Sequence, residues 1–307
     1  MTATTSRTAG RRPAARTSGT RPISSDVHRL LPRPLLVVVI VVLLVIVLGP
    51  VLYMLFASVN SDVSVAGGAF FPAELHLDNY LKVWTTVDLG TGLANSVLIS
   101  GSVAIVCAFV ALATAYVLVR HEFRGRLTFL RALLGLQSIP GTLMLLPVFV
   151  LFSSTASLLG IQVIGTRWAV FLTYLTFALP FSTWVMVTYL RGLPKALEEA
   201  ARIDGASSWR ILTRIIMPLS WPGIVVSGIF AFLLGWNDVL FASVLTNPDS
   251  RTAAVALQVF GATQEGGAVP LYGQMMAASL ICALPVVVLY LVFQRYLVGG
   301  LTSGGVK

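Results

Sequence analysis

The chain has 307 residues, 56% of them hydrophobic and 11% charged, with a net charge of +9. Soluble domains carry about 25% charged residues, so a water-facing surface of this size would be hard to cover, whereas lipid lets apolar faces point outward. The positive charge taken alone would suggest a nucleic-acid partner, but the basic residues cluster between apolar stretches, which is a membrane-topology pattern and points to lipid instead.

Residues 1–34 are rich in Arg, Ser, Thr, Ala and Pro and read as a disordered basic tail. The apolar run from Leu35 to Phe56 is too long for a signal-peptide core, and no clean small-x-small site follows it. It is expected to be a first membrane helix, kinked at Pro50. A membrane helix needs about 20 apolar residues. Six segments qualify, at 35–57, 92–119, 128–153, 168–190, 222–246 and 272–294. The third and fourth carry Pro147 and Pro180, and neighbouring helices can accommodate such breaks. The expected fold is all-α, a polytopic membrane bundle of six helices.

The basic residues orient this bundle. Eighteen Lys and Arg fall in the N-terminal tail, the loops after the second and fourth segments, and the C-terminus. Only Lys82, Arg167 and Arg251 fall on the other side. Positive residues stay inside, so both termini are expected to be cytoplasmic, which agrees with an even number of spans. Cys107 and Cys282 lie within apolar segments and read as small core residues. No cluster of His and Cys suggests a metal.

The longest cytoplasmic loop, 193–218, is legible from local physics. Pro194 suits a first helical turn, Lys195 to Ile203 are good helix formers, and Glu198 and Glu199 sit where the helix dipole favours acids. Asp204-Gly205 offers a sharp turn, because glycine accepts positive φ. A second helical run from Ser208 is expected to stop at Pro218. The small residues Ala200, Ala201, Gly205 and Ala206 leave a low surface that another protein could approach. A nucleotide-binding loop needs Gly-Lys-Ser/Thr. None of the three lysines, Lys82, Lys195 and Lys307, stands in one. If ATP drives this protein, another chain binds it.

Glu199-Ala200-Ala201, Gly205, Ile215 and Pro218 stand in the register of the signature loop of ABC importer permeases, with Met217 where Leu is usual. Asn79-Tyr80, Asn95-Ser96, Trp236-Asn237-Asp238 and the run from Gln294 to Lys307 extend the likeness. From 35 onward the chain resembles the carbohydrate-uptake (maltose-type) permeases, in particular their smaller membrane subunit.

That resemblance implies a transmembrane domain over 35–298 and a short cytoplasmic tail over 299–307. It implies import of a sugar, an oligosaccharide above all, by alternating access. It also implies a second permease subunit, a homodimeric ATPase that holds the ATP and Mg, and an extracytoplasmic solute-binding protein. No cofactor is expected in this chain, and no catalysis. The ATPase would dock on Glu199, Ala200, Ala201, Asp204, Gly205, Ala206, Ile215 and Pro218. The tail residues Gly300, Thr302, Ser303, Gly304 and Gly305 would reach toward the ATPase dimer. The loop near Gly261 to Pro270 would face the binding protein.

Asn237 and Asp238 are polar residues inside a span, and Asp238 is the single acid placed there. Such groups usually face the bundle interior. Both a translocation-path role and a structural hydrogen bond between helices remain open, and Gln137, Asn95 and Thr142 are weaker candidates. An ion-gradient-driven secondary transporter is the alternative class. Internal repeats and paired intramembrane charges would favour it, and this sequence offers neither clearly.

Overall fold

A computed structural model of the protein describes residues 32–262 and 271–302. Among them the structure is helical, with one isolated bridge between Gly165 and Thr246 and no strand. The basic tail to residue 31, the loop 263–270, and Ser303, Gly304 and Gly305 lie outside the described residues. The chain divides into a unit ending at Leu52 and a second beginning at Tyr53.

Most of the first unit's described part is α1 (Arg33–Ser58), which runs on into the second unit. Every residue from Leu35 to Leu48 is apolar, so the helix has no polar stripe. A helix that is hydrophobic all round belongs in lipid. Its 26 residues would extend about 39 Å at 1.5 Å per residue. Pro50 lies inside it without ending it.

The second unit continues with α2 (Asp62–Ala66), α3 (Asn79–Thr86) and α4 (Leu89–Arg120). Then come α5 (Arg126–Leu136), α6 (Gly141–Leu159) and α7 (Arg167–Arg191). The loop 193–218 forms α8 (Ala196–Ile203) and most of α9 (Ser208–Leu219). The chain ends with α10 (Trp221–Asn237), α11 (Leu240–Leu245), α12 (Ala253–Ala262) and α13 (Tyr272–Thr302).

Helices α4, α7 and α10 form the centre and pack on one another along their length. Without a hydrophobic drive between helices in lipid, close packing of small residues holds such a core. Ala108, Ala111 and Ala115 recur on one face of α4, all buried. A Cβ on Gly235 would sit 2.8 Å from the Tyr174 ring and 2.9 Å from Ser100 Oγ. One on Gly223 would sit 2.9 Å from the Tyr189 ring. Glycine at these two crossings is therefore a packing requirement.

Five helices are long and apolar enough to cross a membrane: α1, α4, α6, α7 and α13. The count reaches six when the pair α9 and α10, bent by 78° at Ser220, is taken as one span. Two expected spans differ from what forms. The segment 128–153 is not one helix but α5 and α6, separated at Gln137–Pro140. Pro140 explains the position of the break, since a proline drives the residue before it out of helical geometry. Pro147 and Pro180 stay inside their helices. The segment 222–246 likewise breaks after Asn237 and restarts at Leu240.

Contrary to the expectation from sequence, Pro218 does not end the second run of the loop. The helix widens into a π turn over Leu212–Ile216 and continues to Leu219. A proline ring clashes with the carbonyl four residues back, and a wide turn just before it relieves that clash.

Candidate functional site

Helix α8 closes on a two-bond glycine cap. The Gly205 N–H donates to the Arg202 carbonyl at 3.0 Å, and the Ala206 N–H to the Ala201 carbonyl at 2.9 Å. Gly205 has φ +77° with open space around its missing side chain, so the backbone alone demands glycine. This is the paired closure in which the residues flanking the bend touch each other. Both Ala201 and Ala206 belong to the apolar cluster built on α4, α7 and α9. Ser207 then opens α9, its Oγ accepting from the Arg210 N–H at 3.4 Å.

The two faces of α8 differ sharply. Inward, Glu198 pairs with Arg120 of α4 at 2.5 Å, each side chain only 4% exposed. Arg120 also donates to the Leu193 carbonyl at 3.2 Å. The segment is thus fastened to the C-terminal end of α4 by a buried charge pair. Outward, Glu199, Ala200, Asp204, Gly205 and Pro218 are exposed. So are three large apolar side chains around the bend: Leu197, Ile203 at 86% and Trp209 at 73%. Of the eight residues singled out from sequence, Ala201, Ala206 and Ile215 pack toward their own bundle. Sequence reasoning missed Leu197, Ile203 and Trp209. Their signal was present, as large apolar residues flanking an otherwise polar turn.

The other family-like pairs hold backbone together. Asn79 Nδ2 donates to the carbonyls of Ser58 and Asn60, both at 3.0 Å, while the hydroxyls of Tyr80 and Ser58 lie 2.8 Å apart. Asn95 Nδ2 donates to the carbonyls of Asp249 (3.0 Å) and Arg251 (2.9 Å), and its Oδ1 accepts from Arg167 Nε at 2.7 Å. Ser96 Oγ accepts from the Ala253 N–H at 2.8 Å. These buried amides tie loops to helices at one end of the bundle, where apolar surroundings make each unmade bond costly.

The two helix breaks meet at a cavity of about 660 Å³. Gln137 and Gly141 reach it from the first break, Asn237 and Asp238 from the second. A Cβ on Gly141 would lie 3.7 Å from the Phe241 ring, which measures how close the two breaks come. Asp238 is held by hydrogen bonds on both sides of the second break. Its Oδ2 accepts from Tyr174 Oη (2.7 Å), the Phe241 N–H (3.1 Å) and the Ala242 N–H (3.0 Å). It caps α11 and accepts a hydrogen bond from α7. Asn237 lines the cavity and is exposed within it.

Residues 108–302 match the family described as "Binding-protein-dependent transport system inner membrane component". The chain belongs to this family. Within it, the permease is 32% identical to the trehalose/maltose transport system permease of Thermococcus litoralis, over 91% of this chain and 99% of that one. It is 32% identical to the diacetylchitobiose uptake system permease of Streptomyces coelicolor, over 84% of each. Its fold superposes on a bacterial ABC transporter that imports the acidic polysaccharide alginate with a TM-score of 0.71 at 20% identity, covering 90% of this chain and 99% of that one. The protein is a membrane-spanning permease subunit of a binding-protein-dependent importer. The matched span includes the segment α8–α9, the cavity and α13. Gly300 and Thr302 fall in the last turns of α13.

Proposed function

We propose that this permease imports a sugar by alternating access, driven by ATP hydrolysed on separate ATPase subunits that dock on α8 and α9. The observation that carries the docking surface is the exposed crown of Leu197, Ile203 and Trp209 around Gly205, on a segment anchored from behind by Arg120–Glu198. Large apolar side chains exposed together beside charged and polar residues favour a protein partner. Glu199, Asp204 and the exposed backbone at Gly205 supply acceptors within the same patch.

The distribution of basic residues favours a cytoplasmic location for this segment and for both termini. ATP and Mg belong to the partner, a second permease subunit completes the pathway, and the binding protein delivers substrate from the opposite side. The resemblance to the carbohydrate-uptake permeases supports a further contact of the stretch 299–307 with the ATPase pair. The trehalose/maltose and diacetylchitobiose relatives support a sugar as cargo. The domain plan follows: a basic tail over 1–34, the transmembrane domain over 35–298 with its docking segment, and the short tail.

The test is co-purification of the ATPase. Gly205→Arg would place a long charged side chain at the centre of the crown while the protein stays in the membrane. ATPase recovery should be lost. Normal recovery with this variant would overturn the docking role.

A further inference from the structure

The cavity at the two helix breaks has features that packing alone does not explain. Non-helical backbone at membrane depth is tolerated where it lines a wet cavity, and both breaks open onto this one. The side-chain amides of Gln137 and Asn237 have no hydrogen-bond partner among the described residues. Asp238 Oδ1 is engaged only by a long 3.5 Å contact from the Phe241 N–H, because Oδ2 takes the three short bonds. Aromatic rings share this lining. Phe181 and Phe230 pack edge to face with centroids 4.9 Å apart, and Phe177 adjoins them. Among the described residues, no Lys, Arg or His lines the space.

We propose that this cleft is a binding site for neutral pyranose rings, the share of the sugar path contributed by this chain. The inference deepens the importer reading and rests on it. A pyranose has a C–H face and a rim of hydroxyls. The C–H face suits the electron-rich face of an aromatic ring. The hydroxyls both donate and accept, as do the amides of Gln137 and Asn237, while Asp238 Oδ1 can only accept. A mostly apolar wall with a few convergent polar groups is the usual make-up of a small-molecule site, and the volume falls within the range of about 300–1,000 Å³ seen for such sites. The charge balance sets the class. A uronate or a phosphate ester would enter beside a carboxylate with no cation on this wall, and an unpaired anion is costly out of water. This wall therefore selects neutral sugars over acidic ones.

The experiment uses the whole transporter, co-expressed with its second permease subunit and ATPase and reconstituted in lipid nanodiscs. Equilibrium binding is measured with tritiated maltose, with tritiated trehalose and with a labelled dimannuronate. The neutral disaccharides should bind, and the uronate about tenfold or more weakly. Asn237→Leu and Gln137→Leu should each weaken neutral-sugar binding about tenfold, and Asn237→Gln should recover part of the loss. Where a Leu variant does not assemble, Phe181→Leu, which keeps volume but removes the ring face, should give the same loss. Unchanged affinity in the assembled Leu variants, equal or tighter uronate binding, or no binding of either neutral sugar would each overturn the site. ATPase recovery in the same preparations is the separate readout for the importer reading. A complex that assembles normally but gives one of those binding results sinks the cleft alone.

Discussion

Two helices of this permease stop at an aspartate, and they stop in different ways. At Asp204 the chain turns in water. The backbone closes on itself through Gly205 and Ala206, and the Asp204 carboxylate is left exposed. At Asp238 the chain turns inside the bundle. There the Asp238 carboxylate accepts two of the free N–H groups of α11 and a tyrosine hydroxyl as well. The solvent decides which group satisfies the backbone. The exposed break leaves its side chains free for a partner, and the interior break has one carboxylate oxygen to spare.

The sharpest way to break this comparison is Asp238→Leu. It orphans three buried donors, each worth about 1–3 kcal/mol when left unpaired. Membrane accumulation of the folded permease, followed by detergent-resistant migration, should fall drastically. Asp204→Leu should leave accumulation unchanged, and equal losses at the two sites would erase the distinction.

The next effect concerns the anchor of the docking segment. Arg120→Met leaves Glu198 buried without its partner, and breaking such a pair costs about 3–5 kcal/mol. Trypsin should then cut the loop at Arg202 and Arg210 faster than in the wild type. The double variant Arg120→Met with Glu198→Met should restore much of the protection, because two matched apolar side chains avoid the stranded charge.

Gly205→Ala comes third. A non-glycine residue at positive φ costs about 1–2 kcal/mol, and nothing crowds the added Cβ. Accumulation should persist while ATPase recovery drops several-fold, between the wild type and Gly205→Arg. Loss of accumulation would show that the bend serves folding more than docking.

The smallest effect lies at the surface pair Asp78–Lys82, 2.5 Å apart and exposed. The Lys82 hydrogen bond holds the Asp78 carboxyl below its usual range, and Asp78 in turn raises Lys82. A lowered carboxylate stabilises above its unfolded pKa and loses that contribution as pH falls through the folded one. Lys82→Ala should therefore lower the melting temperature only slightly near neutral pH. The difference should close as the medium becomes acidic, and a difference that grows there would contradict the pairing.

Much of this was readable in the chain. Hydropathy located the apolar spans, and Asp204-Gly205 located the bend, because both signals are local. The break at Gln137–Pro140 was not readable in the same way. Only three or four residues interrupt a long apolar run there, and the more central Pro147 drew the eye yet stayed helical. The partition of Glu198 from Glu199 was also hidden. Adjacent acids on a helix differ by about 100° in direction, and only the position of Arg120 decides which one turns inward. Asn79 and Asn95 stood out as family-like pairs, but their partners are backbone carbonyls from 19 to 156 residues away, which no local pattern reveals.

The bend at Ser220 has a mechanical consequence. Helices α9 and α10 form the two arms of a bell-crank whose pivot is buried, with Ser220 fully enclosed. At 1.5 Å per residue the arms are about 18 Å and 25 Å long. A push delivered at the short arm, near Ser208, swings the far tip of the long arm through a path about 1.4 times as long. That tip is Asn237, at the rim of the cavity. One buried turn at Ser220 thus joins the exposed segment around Gly205 to the rim of the cavity, so the two ends of the elbow share a single pivot.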